Sequence, residues 1–374
     1  MLDSVGIKRS RGAARASLVA LVAGALFSGT MICSAQPQGI IAAPGCDSIA
    51  AMFLTGGSVG AMAYSPNGRF VAVHFAERLT VWDTERKERL EGFVKREQCL
   101  QAAGGAKLAF SNDSKHLSLL SANGVETYDL GSATAPPVVA RYRQHSFATT
   151  GTISGASNAI ALVEDSNILV LDASTGKTLA QHPSRAGEAA LLSFSPDGRY
   201  LAEGARDSQT MVTPDGVSNV AGNPSQQIEL FKVGSAESNI IQSASPYYFA
   251  MALSPDDRRV AAISYSGAQM TADNVVLDVW NREDGASLLQ LPLRADTYHF
   301  LAFTDSGHVV LSGNAYIASA DIDSGRAQFQ MFDFAHFAPS IASASSADVL
   351  AVGGERDSIA LFHLPDLASI AVLQ

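Results

Sequence analysis

One phrase recurs along this chain, and its repetition limits the fold more than any other feature. It is clearest at residues 190–204, ALLSFSPDGRYLAEG. An alternating apolar run enters a Ser-Pro-Asp-Gly turn and a second alternating run leaves it. Pro196 presets φ for the turn, Asp197 can bond its own backbone, and Gly198 accepts positive φ, so the phrase encodes a β-hairpin. It returns as AMAYSPNGRFVAV (61–73) and MALSPDDRRVAAI (251–263). Weaker copies are LAFSNDSKHLSLL (108–120), TISGASNAIALV (152–163), FLAFTDSGHVVLS (300–312) and SIASASSADVLAV (340–352). Seven copies in 374 residues make a repeat protein whose units share one continuous core.

Each unit reads as four strands. In the fourth, for example, the pattern predicts strands at 189–194, 199–204, 227–232 and 238–243. In the fifth it predicts 248–253, 259–265, 275–281 and 287–291. The third strands carry a second echo: LTVWDTE (79–85), VETYDLG (125–131), ILVLDASTGK (168–177), LDVWNREDG (277–285) and ASADIDSGR (318–326). An alternating strand ends on an aromatic or aliphatic residue, then Asp or Asn, then a polar turn. Four strands per unit and seven units predict an all-β fold, a seven-bladed β-propeller of four-stranded antiparallel blades over residues 55–374. Hydrophobic content of 47% against 17% charge supports a well-buried β protein rather than a disordered one.

With Trp82-Asp83 as a full match, Trp280-Asn281 close to it, and Ser-Pro-Asp-Gly in the first hairpin of the fourth repeat, the chain resembles the WD40 repeat family. The resemblance covers residues 55–374. It departs from the family in lacking the Gly-His pair before the first strand of each repeat. It implies a propeller that binds a protein partner without catalysing a reaction.

The first 35 residues read differently. Lys8, Arg9, Arg11 and Arg15 precede an uncharged apolar or small run, residues 16–32, and Cys33-Ser34-Ala35 has the spacing a signal peptidase reads. The expectation is a signal peptide over 1–35, cleaved after Ala35, a lead-in over 36–54, and a periplasmic or secreted product. Membrane attachment would require that segment to remain uncleaved. Net charge is −10, and removing those four cations together with Asp3 leaves about −13. So acidic a surface disfavours nucleic acid as a partner. The mature chain keeps Cys46 and Cys99, a pair that could form a disulfide in an oxidising compartment. If residues 49–54 completed the last blade, those cysteines would lie at opposite ends of the ring.

In a propeller the fourth-to-first and second-to-third connections share one rim. The two long insertions, 205–226 and 266–274, are both second-to-third connections on adjacent blades. Long loops of this kind are either functional or mobile. Aromatic and His residues also cluster at the approaches to the first strands on that rim. The candidate binding group is His145, Phe147, Tyr247, Tyr248, Tyr298, His299 and His336, chosen because Tyr offers contact area and a polar tip at low entropic cost. The competing role for these rings is packing between sheets. No histidine pair has metal-ligand spacing, no phosphate-cradling Gly-rich loop precedes a helix, and no nucleophile elbow or acid–base pair stands out. No catalytic residue, metal site or cofactor is therefore assigned. The leading expectation is a non-catalytic scaffold using this rim. The alternative is a propeller enzyme of lactonase or dehydrogenase-subunit type, with a metal or small molecule at the central mouth.

Overall fold

The computed structural model describes residues 61–373 except 76–77, 91–94, 97–106, 122–123, 132–137, 141–150, 207, 214–215, 222, 267–273, 295, 297, 306, 314–315, 332–340, 345–347 and 354–358. Seven antiparallel sheets follow one another along the chain, each built in strand order first, second, third, fourth. Blade four uses Ala190–Phe194, Tyr200–Ala205, Gln227–Lys232 and Ser238–Gln242. Blade five uses Tyr247–Leu253, Arg259–Tyr265, Val275–Asn281 and Ser287–Pro292. The other blades lie within 61–96, 107–140, 152–183, 298–331 and 341–373. The sole helical element among the described residues is a single turn at Gly187–Ala189. The chain is a seven-bladed β-propeller.

Period-two alternation explains the stacking, because successive side chains on a strand serve opposite neighbours. On blade five, Val260 and Ala262 enter the core shared with blade four, while Ala261 and Ile263 enter the core shared with blade six. Seven apolar clusters result, one between each consecutive pair of blades. The last joins Tyr64, Val71, Val73 and Trp82 of blade one to Ala351, Ile359, Leu361 and Leu373 of blade seven, which closes the ring. Closure is by packing: blade seven supplies its own fourth strand, Ser369–Leu373, paired to Ile359–His363. First strands of neighbouring blades lie side by side and so surround the central channel.

The serine of four of these phrases closes its turn in the same way. The backbone N–H of Phe70, His116, Tyr200 and Arg259 donates to the hydroxyl of Ser65, Ser111, Ser195 and Ser254 at 2.8–3.0 Å. Each hydroxyl in turn donates to the Asn or Asp two residues on, at 2.5–2.7 Å. Gly68 and Gly198 take the left-handed position of this turn, and Ser114 and Asp257 occupy it in the other two.

Two segments differ from the sequence reading. The fourth strand of blade one, expected over 88–94, is two short pieces, Glu88–Arg89 and Lys95–Arg96, both paired to the third strand. The insertion 205–226 is not a plain loop. It contains a separate hairpin, Ser208–Thr213 paired to Gly216–Ala221. The cause is local: two alternating runs flank Pro214-Asp215-Gly216, a turn signal of the same kind as the repeat's own.

Candidate functional site

The hairpin 208–221 rises from the second-to-third connection of blade four, and its second strand lies against the turn 187–189. Its base is fixed by a cluster of charged side chains. Glu203 and Glu229 oppose each other on adjacent strands. Glu203 accepts from the Ser184 hydroxyl at 2.5 Å and from the backbone N–H of Ala186 and Arg185 at 3.1 and 3.3 Å. Arg185 pairs with Glu229 and donates to Gln227 at 3.3 Å. Asn223 donates to the Arg185 carbonyl at 3.5 Å. Burial pushes the Glu203 carboxyl above its ordinary range, with the neighbouring Glu229 charge adding to that and the three donors opposing it. The cleft between these groups has room for no more than a water molecule. Chemically the cluster is a clasp, which holds the blade-three-to-four crossing against the sheet beneath the hairpin.

An aromatic ladder crosses from blade five to blade six near the same rim. Tyr247 and Tyr265 are cross-strand partners with ring centres 5.7 Å apart. Phe249 stacks on Tyr265 at 4.7 Å and meets Tyr298 at 5.9 Å. Tyr298 lies edge-on to Tyr316 at 6.0 Å, and their hydroxyls are in contact. The Tyr298 hydroxyl also donates to the Arg294 carbonyl at 2.7 Å.

The residues singled out from sequence separate on burial. Tyr247 is half-buried and reaches the rim surface. Tyr248 is 1% exposed and belongs to the core between blades four and five, where its ring lies against Gly204. Burial raises its phenol to about 12. Tyr298 is 2% exposed, in the core between blades five and six, and its phenol is raised by burial and by Tyr316. Both are enclosed as packing residues, and neither ring is offered to a partner in this arrangement. His299 lies in the strand Tyr298–Phe303. His145, Phe147, His336, Cys46 and Cys99 lie outside the described residues, as does most of 266–274. Sequence reasoning missed Arg185, Glu203 and Glu229. A glutamate inside an alternating apolar strand, as in YLAEGA and QIELFK, is the signal that points to them.

The opposite rim is knitted from turn to turn. The Asn67 N–H donates to Ser114 Oγ at 3.1 Å, Arg199 pairs with Asp257 at 2.5 Å, and the Arg282 guanidinium sits 4.4 Å above the Tyr200 ring. These contacts tie turns of neighbouring blades together on that rim. Among the described residues no group of three or more His, Cys, Asp or Glu side chains is placed to hold a metal ion. Comparison with protein-family models and with curated proteins found no match.

Proposed function

We propose that this chain is an exported, non-catalytic propeller of WD40-like type that binds a protein partner through the rim bearing the 208–221 hairpin. The observation that carries this reading is the hairpin itself. Among the described residues its two strands pair only with each other, outside every blade sheet. Unpaired strand edges are templates for another chain, and adding a strand is a recurrent mode of peptide recognition. The charged clasp beneath the hairpin supports it on a rigid base, and half-buried Tyr247 on the next blade extends the same surface. The WD40-like part of the reading rests on Trp82-Asp83 and the Ser-Pro-Asp-Gly turn at 195–198. Export rests on the basic and apolar character of residues 8–35.

The test is affinity capture from cell-envelope extract with residues 36–374, analysed by mass spectrometry. A second form replaces 208–221 by a short Gly-Ser connection, and a third carries Glu85→Ala and Arg86→Ala on the opposite rim. The expected result is one protein captured by the native and third forms and lost by the second. Equal capture by all three would move the interface to another face. The mass of the exported protein is expected to correspond to cleavage after Ala35.

A further inference from the structure

Two cations on the hairpin rim point to a second kind of ligand. Lys107 opens the first strand of blade two, one of the strands that surround the central channel. Arg206 follows the second strand of blade four, and its backbone N–H donates to the carbonyl of Ala189 at 3.0 Å, beside the innermost strand of that blade. Both therefore lie at the same end of the ring. Lys107 is open to water yet surrounded by protein, which is the situation of a side chain inside a water-filled channel. Arg206 is partly enclosed, and its Nε is buried with no hydrogen-bond partner. Neither cation forms an ion pair among the described residues. The chain has 36 acidic residues against 26 Lys and Arg, so carboxylates to neutralise them are not scarce. A guanidinium nitrogen buried without a partner is costly, and unpaired buried polar atoms of this kind mark places where something else completes the site.

We propose that the channel mouth is an oxyanion-binding site, in which Arg206 and Lys107 hold a small carboxylate- or phosphate-bearing molecule between them. A guanidinium fork supplies paired donors to such a group, and an ammonium supplies a mobile point charge. The two cations already sense each other: enclosure and the Arg206 charge lower the Lys107 ammonium to about 8. An anion between them converts that repulsion into attraction for both. This site shares the rim with the protein-binding surface proposed above but takes no residue from the hairpin itself.

The test is thermal unfolding and titration calorimetry of the purified protein with inorganic phosphate and with succinate, at constant ionic strength set by sodium chloride. A saturable rise in Tm is expected with at least one probe. Arg206→Gln and Lys107→Gln should each weaken binding about tenfold or more, the effect of losing one charged contact. Arg206→Lys keeps the charge and should retain part of the affinity. Binding by the native protein should weaken as pH rises from 7 to 9.5 while Lys107 loses its proton, and Lys107→Gln should lack that dependence. In the absence of probe, each Gln variant should match or exceed the native Tm, because a like-charge repulsion is removed. Preference for phosphate assigns phosphorylated ligands, and preference for succinate assigns carboxylates. No saturable shift with either probe, an equal shift in the variants, or a Tm loss in the probe-free Gln variants would overturn the proposal.

Discussion

Asp83 has no exposed side-chain surface, yet it remains charged because the chain supplies donors on several sides. Burial alone would raise its carboxyl. The Arg69 guanidinium, at 2.7 Å, and the backbone N–H groups of Arg86 and Glu85, both at 3.1 Å, outweigh that and hold it below the ordinary carboxylate range. A lowered folded value means stability that is present above the unfolded range and lost as pH falls. Asp83→Asn should therefore cost about 2 kcal/mol at pH 7, and the difference should shrink as denaturation curves are taken below about pH 4. Gly155 shows a different constraint. A Cβ there would lie 1.9 Å from the Phe110 carbonyl oxygen of blade two. Gly155→Ala should lower stability by about 3 kcal/mol in urea unfolding, since backbone rather than a flexible side chain has to move. The Asp was legible in the sequence because its turn is local, three residues long and repeated. The glycine was not, because its reason lies on another blade. Tyr248 and Tyr298 were ambiguous for the same cause: whether a ring at a strand start faces the rim or the next sheet depends on the preceding blade, which the local pattern does not describe.

The strands themselves were mostly written in the sequence, because alternation and turn chemistry act within ten residues. The second and third strands of blade five fall at 259–265 and 275–281, as the pattern predicts. The hairpin 208–221 was hidden by its surroundings rather than by its own sequence. Thr, Ser, Asn and Gly dilute its alternation, and its place between two strands of one blade made it read as a loop. Because among the described residues its strands pair only with each other and the blade-four sheet is complete without it, replacing it with a short connection should change stability by less than about 1 kcal/mol. Thermal unfolding of that form checks this, and a large loss of Tm would show that the hairpin is part of the core instead of a projection from it. The clasp should behave oppositely. Glu203→Ala leaves the amides of Ala186 and Arg185 without their acceptor, and a loss of about 3 kcal/mol is expected.

At the scale of the molecule, seven repeats became seven blades, and seven shared cores bind them into a ring. How the ring closes was beyond the sequence, since nothing local tells the first blade that it meets the last. Among the described residues the structure answers with side-chain packing around Trp82, Leu361 and Leu373, and blade seven's fourth strand is its own. The two tryptophans report distant parts of this ring. Trp82 sits between blades seven and one, and Trp280 between blades four and five. Single-tryptophan forms, Trp82→Phe and Trp280→Phe, should give superimposable fluorescence unfolding curves once each is normalised to its own stability by circular dichroism. Separate transitions would mean that the closure opens before the rest. In the function proposed here, a closed ring would matter by presenting the hairpin rim as a fixed surface, while the other rim carries contacts between turns. The most direct check of that division is amide hydrogen exchange of the purified chain with and without the captured partner. The account predicts slowed exchange at 184–189 and 208–221 and no change in the turns at 65–69, 195–199 and 254–258. Slowing confined to those turns, or to the outer strands at 327–331 and 369–373, would contradict it.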